Sequence, residues 1–173
     1  LANWTLNNAE SSLSFISIKK DEIAEAHHFE RLSGAIKSNG LASLSIDLTS
    51  VNTSIAIRDQ RMRDFLFETT KFAQASFSTQ VDLAFINAME TGEQKQITIS
   101  GEMSLHGQSQ KVDALVNIAK LANNKVSITA VKSVLVNAKQ YNLVAGVAKL
   151  QELAGLPSIS NAVPVTFSLT YSK

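Results

Sequence analysis

The chain has 173 residues, of which 45% are hydrophobic and 18% are charged, and its 16 Lys and Arg nearly balance its 15 Asp and Glu. This composition is typical of one folded domain and excludes an intrinsically disordered chain. The net charge of +1 argues against nucleic-acid binding, which requires a clustered basic surface. The lack of cysteine excludes thiol nucleophiles and cysteine zinc sites.

The chain has two prolines and seven glycines, and no Pro-, Gly- or Ser-rich linker divides it. We therefore expect one domain over residues 1–173. The sequence opens at Leu1 without a basic segment or an apolar leader. We expect a mature sequence from which a signal peptide is absent.

Apolar and polar residues alternate along most of the chain, which is the pattern of strands with one buried face. About eight strands are predicted, over residues 12–18, 29–36, 44–49, 77–85, 97–105, 112–118, 126–130 and 163–171. Short turn signals such as Asn39-Gly40 and His106-Gly107 separate most of them. The pattern favours an antiparallel meander, and closure into a barrel would remove its exposed edges.

Two segments show helical spacing instead. Apolar residues recur every three or four positions from Ile57 to Phe67, and again from Leu143 to Leu156, where Gly155 and Pro157 provide a stop. The sequence therefore predicts two short amphipathic helices beside an all-β barrel. A filled interior and a ligand cavity would leave the same alternation, so periodicity does not choose between them.

Residues that could carry catalysis are few. His27 and His28 are adjacent, so on a strand they point to opposite faces and cannot easily bind one metal ion. His106 lies in a predicted turn, and no nucleotide-binding or hydrolase motif occurs. We expect no metal site, no catalytic residues and no cofactor apart from a bound ligand.

The densest charged segment runs from Arg58 to Asp64. Its simplest interpretation is a solvated helix face with weak local ion pairs. Alternatively, Arg58 and Asp59 point inward, where they either fix a strand-to-helix corner or meet the polar head of a ligand.

Several segments of the chain carry a family pattern: residues 18–20, 24–29 and 34–36 near the start, Ser50–Thr53 with Ile57–Arg63, Ser100–Gly107 with Val112, and residues 150–160 running into 163–167. In their order and spacing these segments resemble the YceI-like family of bacterial polyisoprenoid-binding proteins. The matches cover nearly the whole chain. Two departures are Asn137–Leu143, where many members carry Arg-Ser/Asp-x-Phe-Gly, and Lys111, where proline often precedes the valine.

The resemblance implies an extended, lipocalin-like antiparallel barrel of eight strands, with an apolar channel that holds a long isoprenoid lipid such as a ubiquinone-type molecule or a polyprenyl compound. It also implies a periplasmic location. We expect a carrier or sequestering protein that does not bind nucleic acid and touches the membrane surface at most transiently. The oligomeric state stays open, with a homodimer as one option.

From the alternation and the resemblance we expect ligand-binding residues on the inward face of the barrel. The predicted set is Phe15, Phe29, Ile46, Leu48, Met62, Phe65, Phe77, Val81, Leu83, Phe85, Ile99, Met103 and Val116, with Arg58 and Asp59 at the mouth or corner. One alternative is a filled barrel that acts as a stress-induced structural or protein-interaction domain. Another is an enzyme in which His27 or His28 converges with Asp59 or Glu25.

Overall fold

The structure, a computed structural model, describes residues 3–173. Its strand segments are β1 (Trp4–Leu6), β2 (Ser12–Lys19), β3 (Ile23–Phe29), β4 (Leu32–Ile36), β5 (Leu41–Asp47), β6 (Val51–Asn52), β7 (Gln74–Gln80), β8 (Gln94–Leu105), β9 (Gln108–Leu121), β10 (Lys125–Ala130), β11 (Val134–Asn137) and β12 (Ala162–Ser172). The helices are α1 (Ala56–Arg61), which continues as a π-helical turn over Met62–Leu66, α2 (Leu83–Ala88) and α3 (Val144–Ala154).

The sheet is a closed antiparallel ring. Its order is β1, β4, β5, β7, β8, β9, β10, β12, and β1 pairs with β12 to close it. Four further segments prolong members of this ring: β2 follows β1, β3 precedes β4, β6 follows β5, and β11 follows β10. The added segments have the same neighbours as the ring strands that they continue: β12 pairs with β2, β2 with β3 and β3 with β6. The molecule is therefore an eight-stranded barrel with four interrupted strands, and the predicted fold class is confirmed.

Side chains of Asn and Asp accept backbone hydrogen bonds where strand segments end. In each case the side-chain oxygen accepts from the N–H two residues later, which bends the backbone into a short turn. The backbone N–H of Ala9 donates to Asn7 at 3.1 Å, that of Thr49 to Asp47 at 3.0 Å, that of Ser54 to Asn52 at 2.8 Å, that of Ala84 to Asp82 at 3.0 Å and that of Lys139 to Asn137 at 3.0 Å. Four of these turns lie at strand interruptions or ends, and the turn at Asp82 begins α2.

The prediction of one strand over residues 77–85 is wrong in its second half. β7 ends at Gln80, and the alternating Leu83 and Phe85 lie on α2. The reason is the N-cap, since Asp82 accepts from the backbone N–H groups of Ala84 and Phe85. Ile86, three residues after Leu83, is then the helix residue that is buried in the core.

The two predicted helices are confirmed. α3 ends at Gly155, which adopts the left-handed conformation at φ +65°. The helix crosses the π-helical turn at Gly146, where an added Cβ would lie 2.7 Å from the carbonyl oxygen of Phe65 and 2.9 Å from Cα of Leu66. Glycine therefore allows α3 to pack directly on the backbone of the turn.

One end of the barrel is tightly filled. We call it the packed end and define it by five side chains that are at most 2% exposed: Trp4, Ile36, Ile86, Ile118 and Val126. The Lys120 ammonium links β1 to α2 at this end, because it lies 5.3 Å from the Trp4 ring centre and 3.5 Å from the carbonyl oxygen of Ile86. α2 thus plugs this end of the barrel.

Candidate functional site

The barrel holds an apolar cavity of about 210 Å³. Thirty-three of the described residues line it, and only Ser43, Ser76, Thr79 and Tyr171 among them have polar side chains. The Tyr171 hydroxyl already donates to the carbonyl oxygen of Ser43 at 2.9 Å. None of the lining residues is charged, so the cavity suits a hydrocarbon and offers little to a polar molecule.

The end of the barrel opposite the packed end is covered by helices. We call it the capped end and define it by α3 and the π-helical turn. Leu66 and Phe67 from the turn and Leu143 and Val147 from α3 line the cavity. Because these four side chains form part of the lining, the two helical elements roof the cavity.

Nine of the fifteen predicted site residues line this cavity. They are Phe15, Phe29, Ile46, Leu48, Phe77, Val81, Ile99, Met103 and Val116. Alternation along the strands brings them to the inward face. Their role in ligand binding stays a prediction.

Four apolar residues predicted to line the channel lie elsewhere. Met62 is 5% exposed and packs in the core beside the cavity. Phe65 is 43% exposed, with the Lys149 ammonium 5.8 Å from its ring centre. Leu83 and Phe85 lie on α2, since their segment is helical. Apolar spacing on a short helix does not say which side chains reach the barrel interior.

The structure adds lining residues that the predicted set omitted. On β12 they include Val163, Val165 and Phe167, and on β11 they include Val134 and Val136. The alternation of residues 163–171 already carried the signal for β12. β11 is four residues long and its segment shows no pattern long enough to detect.

Arg58 and Asp59 both lie at the corner between β6 and α1. Asp59 accepts from the backbone N–H of Thr53 at 2.7 Å and from its hydroxyl at 2.5 Å. Arg58 donates to the carbonyl oxygen of Thr53 at 2.7 Å and to the Glu25 carboxylate at 3.1 and 3.3 Å. These contacts tie the corner to β3. Neither residue lines the cavity.

The ionisable groups next to this corner are perturbed. The Lys19 ammonium, 2.7 Å from the Glu25 carboxylate, is the main cause that holds the pKa of Glu25 below its ordinary value, and Arg58 adds to the effect. Burial lowers the pKa of His27, and the positive charge of Arg58 lowers it further. The His27 imidazole is therefore held neutral.

The two adjacent histidines point to opposite faces of β3, as the sequence predicts. His27 is 3% exposed, whereas His28 is exposed and its Nε2 lies 2.9 Å from Oε1 of Glu30. The histidines therefore do not converge on one site. Among residues 3–173 no group of three or more His, Asp or Glu side chains is arranged to hold a metal ion.

The pairing between β7 and β8 covers only part of the two strands. These strands pair only from Ser76 with Ser104 to Ser78 with Glu102 within the described chain. Beyond this ladder a slot of about 370 Å³ lies between β7, α2 and β8, and it shares Thr79, Val81 and Ile99 with the cavity lining. The cavity and the slot are therefore separated by few side chains.

No helix in residues 3–173 has both the length and the apolar character needed to cross a membrane.

Several solved structures resemble this chain, among them the following three. A polyisoprenoid-binding domain from Saccharophagus degradans, implicated in plant cell wall breakdown, is 39% identical, with a TM-score of 0.96 over 98% of this chain and 97% of that one. BcnA from Burkholderia cenocepacia is 17% identical, with a TM-score of 0.73 over 95% and 98%. The YceI protein of Campylobacter jejuni is 16% identical, with a TM-score of 0.57 over 85% and 84%. The last two show the fold alone.

A search of curated protein sequences gave no match. The model of the YceI-like domain family, however, matches residues 4–171, which is nearly the whole chain and includes every strand of the ring. The resemblance drawn from the sequence segments is thereby confirmed, and the chain belongs to the YceI-like domain family.

Proposed function

We propose that this protein binds a long-chain polyisoprenoid lipid in the barrel cavity and carries or sequesters it without chemical change. The observation that carries the proposal is the lining of the cavity, which holds no charged side chain among its described residues. The similarity to the polyisoprenoid-binding domain from Saccharophagus degradans supports it. Quinones and polyprenyl compounds are the lipid classes we have in mind, and the family resemblance favours a periplasmic location.

The energetics favour exchange over permanent storage. Burying a chain of about 40 carbons removes it from water with a gross gain of tens of kcal/mol, at roughly 0.8 kcal/mol per CH₂. A bilayer offers the same gain, so the net free energy of moving the lipid from membrane to protein is close to zero. Such a balance suits a carrier that loads from and delivers to membranes.

The filled-barrel alternative is less well supported, because its interior would contain no cavity, and about 210 Å³ is open here. The enzyme alternative, in which His27 or His28 converges with Asp59 or Glu25 in a pocket, is less well supported, because none of these four residues lines the cavity.

Native mass spectrometry of the purified, detergent-free protein, followed by solvent extraction, tests the proposal. We expect a bound species whose mass varies in isoprene units. A protein that is empty and also takes up no prenylated quinone from liposomes would contradict the proposal and favour a filled or structural barrel.

A pair of tryptophan substitutions adds a matched control. Val165 lines the cavity, whereas Thr166, the next residue of β12, is exposed. We expect Val165→Trp to reduce the retained lipid by about tenfold or more, since the indole occupies the cavity, and Thr166→Trp to leave it unchanged. Equal lipid content in the two folded variants would show that the lipid binds elsewhere.

A further inference from the structure

Two buried nitrogen atoms near the capped end have no hydrogen-bond partner among the described residues: Nδ1 of His27 and Nε of Arg58. Buried polar groups in folded proteins are nearly always paired, so each of these atoms requires an explanation. They belong to one group of side chains, which we call the Arg58 cluster and define as Lys19, Glu25, His27, Arg58 and Asp59.

The cluster adjoins the cavity wall. His27 on β3 faces Phe15 on β2 as its cross-strand partner, and the two ring centres lie 5.5 Å apart in an edge-on arrangement. Phe29, two residues along β3, shares the inward face with His27, and both phenylalanines line the cavity. One layer of aromatic side chains therefore separates the imidazole from the cavity.

The guanidinium of Arg58 is held in place before any ligand arrives. Its two terminal nitrogens donate hydrogen bonds to the Glu25 carboxylate and to the carbonyl oxygen of Thr53, and the side chain is 25% exposed. Nε is left free, with its donor direction fixed by the planar guanidinium. A donor fixed in this way binds an oxygen atom without paying the entropy of ordering a flexible side chain.

The charges of the cluster are already balanced. Lys19 and Arg58 supply two positive charges, Glu25 and Asp59 supply two negative charges, and burial and Arg58 keep His27 neutral. An added phosphate would bring one or two negative charges without a free cation to match them, and it would lose its hydration. A carbonyl or hydroxyl oxygen would satisfy the free nitrogens without adding charge.

We propose that the Arg58 cluster is the head-group site for the lipid and that it accepts a neutral oxygen, as in a quinone or a phenol, in preference to a phosphate. This inference rests on the proposed function. Arg58 Nε donates to the oxygen, and His27 Nδ1 donates to a carbonyl or accepts from a hydroxyl, according to its tautomer. The ring of Phe15 or Phe29 turns aside to let the head group reach the nitrogens.

The test compares three probes with the same prenyl chain: a prenylated benzoquinone, the corresponding hydrocarbon without oxygen, and the prenyl phosphate. Equilibrium binding to the whole protein is measured by native mass spectrometry. We expect the quinone to bind about tenfold tighter than the hydrocarbon or better, and the phosphate to bind no tighter than the hydrocarbon. Equal binding of quinone and hydrocarbon, or tightest binding of the phosphate, would overturn the inference.

Substitutions locate the preference. His27→Phe removes Nδ1 and keeps the ring, and Arg58→Lys keeps the charge and removes Nε. Each should bring the ratio of quinone to hydrocarbon affinity close to one while the hydrocarbon still binds. His28→Phe, at the adjacent exposed position, is the control and should keep the full ratio. A ratio that survives both cluster substitutions would place the head group elsewhere.

One measurement needs no variant. In ¹⁵N-labelled wild-type protein, the Nδ1 signal of His27 should shift when the quinone is added and stay in place when the hydrocarbon is added. A signal that responds to neither, while both ligands bind, contradicts the head-group site and leaves the proposed function standing. Failure of all three probes to bind would contradict the proposed function instead.

Discussion

The packed end and the capped end are built from the same strands, and β12 passes through both. Its five inward-facing residues in this stretch all line the cavity, but Leu169 and Tyr171 are buried, whereas Val163, Val165 and Phe167 are only partly buried. The difference comes from what lies at each end: α2 and Trp4 insert side chains into the barrel, and α3 with the π-helical turn only roofs it. One alternating strand therefore contributes to a close-packed core and to a hollow.

The largest expected effect tests this contrast with two identical truncations. Val126 at the packed end is fully buried, so Val126→Ala should remove about 2–3 kcal/mol of stability through lost burial and a new void. Val165 already borders a cavity, so Val165→Ala should cost about 1 kcal/mol or less. Urea unfolding of both lipid-free variants measures the difference, and equal losses would mean that the two ends are packed alike.

The sequence predicted the barrel because apolar and polar residues alternate along most strands, and this alternation remains visible even where a strand is interrupted. It did not predict α2, since Val81, Leu83 and Phe85 alternate as a strand would. The helix is favoured by Asp82, whose carboxylate accepts from the first backbone N–H groups of the segment. Segments as short as β1 and β11 leave no readable period.

The candidate site was predictable only in part, for a physical reason. A side chain such as Ile99 points inward by alternation alone, and the prediction placed it in the lining. Whether the interior is full or hollow depends on the plugs at its ends, and the face that Met62 or Phe65 presents depends on how the π-helical turn meets α3. The unpaired nitrogens of His27 and Arg58 arise from packing between distant segments, which no local pattern records.

A second prediction concerns the roof at the capped end. A methyl group at Gly146 would collide with backbone atoms of Phe65 and Leu66, so Gly146→Ala should lift α3 and destabilise the protein by about 1–2 kcal/mol. The loss should be confined to the capped end. Hydrogen exchange should therefore quicken in α3 and remain slow in β10, while Ala148→Ser, at an exposed position of the same helix, should change neither. Uniform acceleration in α3 and β10 would contradict a local roof.

The smallest effect is a pH dependence located at the capped end. The pKa of His27 is lowered from 6.5, so the unfolded chain binds a proton more readily than the folded one. The contribution of His27 to the free energy of unfolding is fully present above pH 6.5. It declines as the pH falls below that value toward the pKa of the folded state. Glu25, whose pKa is lowered from 4.5, begins to lose its contribution only below about that pH.

Urea unfolding between pH 7.5 and 5.0 checks this sign. The decline should be shallower in His27→Phe and unchanged in His28→Phe. A wild-type stability that rises as the pH falls through this range would contradict the buried, neutral imidazole.

The seam that closes the barrel has a consequence for how the chain folds. Thr5 pairs with Ser172 and Leu6 with Tyr171, so the ring joins the first strand segment to the last. Contacts between residues so far apart in sequence require a large loop closure, which places the protein among slow-folding β topologies. Before the ring closes, the apolar faces of its strands are open to water. We therefore expect the lipid-free chain to be most prone to aggregation before closure, and a version lacking β12 to fail to enclose any interior.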